Sequence, residues 1–183
     1  MPVTSLCVFC GSSSGRDPIY AKRATEFGAA MVKGAFPSRA TGGNNGLMGA
    51  VAKAVEANGG NIRGFIPETM QQFEDMHTRK QKMSAAADGF VALPGGFGTF
   101  EELLEMITWS QLNIHSKPIG ILNVAGFFDP LLDLVRRGID EGFIRPMNID
   151  LVVVREDPVE LLKALQDYKL PEGSQYALKW EKL

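Results

Sequence analysis

The residues best placed for chemistry are the glycines of Leu93-Pro94-Gly95-Gly96-Phe97-Gly98-Thr99, which stand directly ahead of the acids Glu101 and Glu102. The apolar run before them reads as a buried strand, and the spacing of Leu103, Met106 and Ile107 after them reads as a helix. A backbone without Cβ can approach a ligand closely, and the unpaired amides that open a helix attract an anion. The expected guest is a phosphate, held by the amides of Gly95, Gly96 and Gly98 and by the Thr99 hydroxyl. No Lys-Ser or Lys-Thr follows the glycines and the pattern is not G-x-G-x-x-G, which argues against both ATP hydrolysis and plain NAD binding.

Such a turn needs a scaffold, and the rest of the chain supplies the pattern of one. Strands are expected at 5–10, 61–66, 87–93, 118–124 and 150–154, each followed by a helical pattern, at 17–33, 45–58, 99–113, 129–141 and 157–168 in chain order where caps are also in place. Strands apolar throughout and separated by helices imply an α/β fold, a doubly wound parallel sheet covered on both faces. In such a sheet ligands lie beyond the carboxyl ends of the strands, where strand order reverses. Two more glycine-rich turns fall at that edge, around Gly11, Ser12 and Ser13 and around Gly42 and Gly43, and all five are candidate nucleotide contacts as well as loop formers. The segment 34–41 departs from the pattern, since it offers Pro37 and almost no β-branched residues where a strand is due. The expectation is a single domain over 1–168 and a loosely held tail over 169–183, which contains Pro171 and Gly173.

With 183 residues, 45% of them hydrophobic, the chain is long enough for one well-buried domain. A formal net charge of -2 provides no basic field for a nucleic acid polymer, so a small ligand is expected. There is no positive leader and no apolar run near the roughly 20 residues that span a bilayer, which points to the cytoplasm and away from the membrane. Cys7 and Cys10 have metal-like or redox-like spacing, but along a strand their odd offset sends them to opposite faces, and they read as buried structural thiols. The scattered methionines read as core, and Trp109 as core or dimer interface.

Cys7-Val8-Phe9-Cys10-Gly11-Ser12-Ser13-Ser14, the glycines from Gly42 to Gly49, Met76-His77-Thr78-Arg79-Lys80 and Pro94-Gly95-Gly96-Phe97-Gly98-Thr99-Phe100-Glu101-Glu102 together closely resemble the LOG family, cytokinin riboside 5'-monophosphate phosphoribohydrolases often labelled lysine decarboxylases. The resemblance extends to about Ile144. It implies a Rossmann-like homodimer without metal or other cofactor that hydrolyses the N-glycosidic bond of an N6-substituted AMP, with AMP itself a further candidate, to the free base and ribose 5-phosphate. It implies Arg79 and Glu102 as catalytic residues. Beside them the residues themselves offer as substrate contacts Gly95, Gly96, Phe97, Gly98 and Thr99 of the helix start, Lys80 next to Arg79, and Thr108 on the helix face shared with Glu101 and Glu105. Relative to the family the chain is short at 36–40 and at 67–75, where a glutamate contact falls to Glu68 or Glu74.

Loss of an adenine-type base leaves positive charge on the sugar, for which a carboxylate and a cation are suitable partners. Each assignment has a plainer reading. Thr99-Phe100-Glu101-Glu102 has the form of a capping box, in which Glu102 lies in the helix's first turn and closes on a backbone amide. Arg79 and Lys80 belong to Arg79-Lys80-Gln81-Lys82, which could be a solvated helix face, and Thr108 on the face of Glu101 and Glu105 could be incidental. Two other functions use the same residues: a nucleotide-sensing module that cleaves nothing, and a pyridoxal-phosphate decarboxylase with Lys80 or Lys82 as its Schiff base.

Overall fold

The computed structural model describes residues 3–34, 38–40, 45–62, 76–178 and 180, with backbone alone at 38–40 and 76–79. Among the described residues six strands alternate with six α-helices: β1 Leu6–Phe9, α1 Pro18–Lys33, β2 Ser38–Ala40, α2 Gly46–Ala57, β3 Asn61–Ile62, α3 Met76–Ala85, β4 Gly89–Ala92, α4 Phe97–Gln111, β5 Ile119–Leu122, α5 Asp129–Asp140, β6 Val152–Arg155 and α6 Pro158–Gln166. The segment before the glycines at 42–43 does hold a strand, contrary to its composition. It is the short β2, which needs little β propensity because it pairs by backbone with β3.

β1, β4, β5 and β6 form a parallel sheet in the order β1-β4-β5-β6, and β2 and β3 form a second parallel pair, with β2 beside β1. The chain thus steps outward from β1 in one direction and returns beyond it in the other. Strand order reverses between β1 and β4, whose register runs from Leu6 opposite Gly89 to Phe9 opposite Ala92.

Alternation along the strands divides the core between the two faces. Leu6, Val8 and Cys10 join Val91, Leu93 and Leu122 under α1, α2 and α6, through Phe27, Met31, Val51, Val55, Leu161 and Leu165. Cys7 and Phe9 join Phe90, Ala92, Ile119 and Ile121 under α3 and α4, through Met83, Leu103 and Met106. The sheet is doubly wound, as the apolar pattern implies. Two of its helices start where aspartate and proline cooperate: Asp17 accepts from the Ile19 amide ahead of α1, and Asp157 from the Val159 and Glu160 amides ahead of α6.

Asp88 ties the start of β1 to the turn before β4, because its Oδ2 accepts from the amides of Thr4 and Ser5 at 3.0 Å and from both hydroxyls at 2.7 and 2.9 Å. Burial alone would raise this carboxyl, but the four donors outweigh it and hold the group below the usual aspartate value. A depressed folded pKa gives stability that is present above the ordinary carboxylate range and is lost as pH falls through the folded value. Asp88→Asn should therefore cost about 1 kcal/mol at neutral pH after allowance for solvent screening. Urea melts should show that gap closing toward pH 3; a gap independent of pH would exclude this account.

Beyond α6 the chain returns to the carboxyl end of α4. Tyr176 N–H donates to the Gln111 carbonyl, Gln175 Nε2 to those of Ser110 and His115, and Trp180 Nε1 to that of Leu112. The Arg145 guanidinium reaches the Ser174 carbonyl and stands 4.1 Å from the centre of the Tyr176 ring.

Candidate functional site

The loops after β1 and β4 meet at the point of strand reversal. Gly11 N–H donates to the Pro94 carbonyl and Leu47 N–H to the Gly11 carbonyl, both at 3.0 Å, so two glycine-rich turns and the start of α2 form one floor. Gly46 has φ +56°, and a Cβ there would run into the Ser12 backbone. A cavity of about 310 Å³ opens on this floor, lined by Gly11, Ser12, Ser13, Gly95 and Gly96 on its polar side and by Tyr20, Leu47 and Phe127 on its apolar side. The expected contacts Gly11, Ser12, Ser13, Gly95 and Gly96 are thereby brought together.

The remaining phosphate contacts are distributed differently. Gly96 precedes α4 without a side-chain cap, and the helix's first bond runs from Phe100 N–H to the Gly96 carbonyl. The amides of Phe97, Gly98 and Thr99 thus lie in the unbonded first turn. The Phe97 side chain points away, 92% exposed. Thr99 is buried beneath the loop: a Cβ at Gly95 would strike its side chain and come within 2.9 Å of the Gly11 nitrogen. Its hydroxyl side supports the turn and is not part of the cavity lining.

The same helix start removes the capping box. α4 begins at Phe97, so Thr99 is its third residue, Glu102 its sixth, and its first turn holds no acid. Glu102 is in the second turn, beyond the amides that a cap would satisfy and where the helix dipole has faded. It is half-buried beside Phe9, Lys80 and Glu105 between α3 and α4. Its charge also reaches β1: burial pushes the Cys10 thiol up to about 12, and Glu102 and Cys7 add to the rise. Both cysteines are buried and unbridged, as structural thiols should be.

Lys80 is not placed as a free phosphate ligand. Its Nζ donates to Glu101 at 2.5 Å and to Glu105 at 3.0 Å, with the side chain 15% exposed. Burial favours the neutral amine, but the hydrogen bonds and charges of the two glutamates override it and hold the lysine above its ordinary value. A Schiff-base lysine needs a neutral amine, and Lys80 does not fit that role. Thr108 is exposed, donates to the Leu104 carbonyl at 2.8 Å and lines neither crevice. Its hydroxyl bonds within its own helix, which answers its chemistry without a ligand.

Gly42, Gly43, Glu68 and Glu74 lie outside the described residues, and Arg79 is described by its backbone in α3. Among the described residues no group of three or more His, Cys, Asp or Glu side chains could hold a metal. Sequence reasoning passed over Tyr20 and Phe127. Phe127 follows β5 and Tyr20 opens α1, so the rule that ligands gather beyond strand ends could have found both. Their rings meet edge to face at 5.9 Å, and Phe127 stacks on Phe100 of α4 at 6.3 Å.

Known proteins resemble this chain in sequence and in fold. The family profile described as "Possible lysine decarboxylase" matches residues 48–165. The cytokinin riboside 5'-monophosphate phosphoribohydrolase LOG7 of Arabidopsis thaliana is 42% identical over 193 residues, covering 97% of this chain and 88% of the relative. The probable cytokinin riboside 5'-monophosphate phosphoribohydrolase LOGL2 of Oryza sativa subsp. japonica is 42% identical over 191 residues, with 96% and 78% covered. Among solved structures, the molybdenum cofactor carrier protein of Chlamydomonas reinhardtii superposes with a TM-score of 0.62 at 17% identity, covering 88% of this chain and 95% of that one. That likeness speaks for the fold, whereas identity sustained along nearly the whole sequence speaks for descent. The chain belongs to the LOG family.

Proposed function

We propose that the protein is a phosphoribohydrolase acting on a nucleoside 5'-monophosphate of the N6-substituted adenine type. It cleaves the bond between base nitrogen and ribose C1', and water adds at C1' to leave free base and ribose 5-phosphate. The observation that carries this reading is 42% identity, over 97% of the chain, to a curated enzyme of that name. The site chemistry supports it. The glycine floor and the open first turn of α4 suit the phosphate, and the half-buried Glu102 suits either charge stabilisation on the sugar or water activation. Arg79, on the neighbouring helix, is the cation of the pair.

The test is incubation with AMP and with N6-isopentenyl-AMP, followed by chromatography. Free base and ribose 5-phosphate should appear in equal amounts from at least one of them. Tight binding of both without release of base would instead establish a nucleotide sensor.

The assembly we propose is a homodimer in the cytoplasm. Leu134 of α5 is 65% exposed and Phe143 just beyond it 88%, with Met147 and Ile149 also exposed on the following turn, an apolar set suited to a second copy. Sedimentation equilibrium should give twice the chain mass, and a single-chain mass would overturn the dimer. Among the described residues no helix is long and apolar enough to cross a membrane; cell fractionation would place the protein.

A further inference from the structure

We infer that Lys80 is a positioning residue, whose bridge to Glu101 and Glu105 fixes the helix carrying Arg79 against the helix carrying Glu102. The inference rests on the hydrolase reading and assigns Lys80 a task other than touching the nucleotide.

The two candidate catalytic residues sit on different helices, and the bridge joins those helices beside both of them. Arg79 precedes Lys80 in α3, and Glu102 follows Glu101 in α4. Glu101 and Glu105 are one helical turn apart on a common face of α4, and the single ammonium binds both. Two anchor points from one lysine fix the rotation of α3 as well as its distance from α4.

Among the described side chains of α3, Met83 is the one large apolar group that is buried. Its far end is fixed by Lys117, whose Nζ donates to the Ser84 carbonyl at 2.7 Å. Lys80 supplies the corresponding tie at the Arg79 end. The Glu105 arm lies in the crevice lined by Phe9, Met83, Phe90 and Met106, with both side chains at most one-fifth exposed, so water screens it less than a surface pair; the Glu101 arm is open to solvent on its carboxylate side.

Misplacing a catalytic group by about 1 Å can cost on the order of a hundredfold in rate. Two variants separate a positioning residue from a phosphate ligand. Lys80→Met removes the cation; the double variant Glu101→Gln with Glu105→Gln keeps it but releases it from α4. If Lys80 positions α3, both lower kcat on AMP or N6-isopentenyl-AMP about a hundredfold, while KM and the Kd for ribose 5-phosphate stay within about threefold. If Lys80 binds phosphate, its loss raises KM and Kd, and its release from the glutamates tightens them. That pair of results would overturn the inference, as would an unchanged kcat in the double variant.

Circular dichroism checks the fold. Should the double variant unfold, Glu101→Gln alone severs one arm at a half-exposed residue, and a wild-type kcat there would count against the bridge just as firmly. An unaltered chain that releases no base from either nucleotide would refute the hydrolase reading itself. Normal turnover in the unaltered chain and in every variant would refute the bridge alone.

Discussion

Glu102→Gln is expected to lower kcat/KM by about 10²- to 10⁴-fold while leaving the thermal midpoint nearly unchanged. The two halves of that expectation have separate causes. Stability holds because α4 begins at Phe97, which puts Glu102 beyond the amides of the helix start, and glutamine keeps the size, the hydrogen-bonding oxygen and the helix propensity of glutamate. Activity falls because the amide carries no negative charge for the sugar cation and accepts no proton from water. A thermal melt and a steady-state assay on the same preparation are enough. Full activity in the variant would remove Glu102 from the mechanism and leave the reaction without its carboxylate.

Gly95→Ala is expected to act in the opposite sense, through the floor of the site. A Cβ there would strike the Thr99 side chain and crowd the Gly11 amide, whose bond to Pro94 joins the two loops. Overpacking of this kind typically costs about 1–3 kcal/mol, and the loops that must cradle phosphate would part. Nucleotide affinity should fall at least tenfold, the scale of a lost 1.4 kcal/mol. Gly98 is the internal control, because a Cβ there meets nothing within 4 Å. Gly98→Ala inside α4 should hold or raise stability by up to about 1 kcal/mol. Calorimetric titration with AMP and a urea melt of both variants read the contrast; equal effects would mean that crowding at Gly95 is not what the turn depends on.

The contrast also shows which parts of the site could be read from the chain. Glycines clustered at a helix start mark a backbone that other groups can approach closely, and the apolar strands place that turn at a sheet edge. Both are local signals, and the strand, the glycine turn and the helix fall in the expected order at the edge of a parallel sheet. The start of α4 was misjudged because Thr99-Phe100-Glu101-Glu102 satisfies the letter pattern of a capping box. Gly96 serves as the boundary with no side chain at all, and the helix gains two more residues ahead of the threonine. Propensity had no way to register this, since the gain comes from packing Thr99 beneath Gly95.

Lys80 illustrates a different limit. Its partners are 21 and 25 residues away, on another helix, and no periodicity within either helix announces the bridge. A run of cations therefore looked like a solvated face or a phosphate grip. β2 was missed for a similar reason, since its pairing partner β3 lies some twenty residues further along the chain and three residues are too few to show a period of their own.

The two thiols give the chain an internal pair of reporters. Cys7 faces the layer of α3 and α4, Cys10 faces the layer of α1, α2 and α6, and burial shields each from reagent while its layer is closed. An alkylating agent added under native conditions will therefore mark whichever layer opens first. The order of labelling gives the sequence in which the two halves come apart, without a mutation or an attached dye.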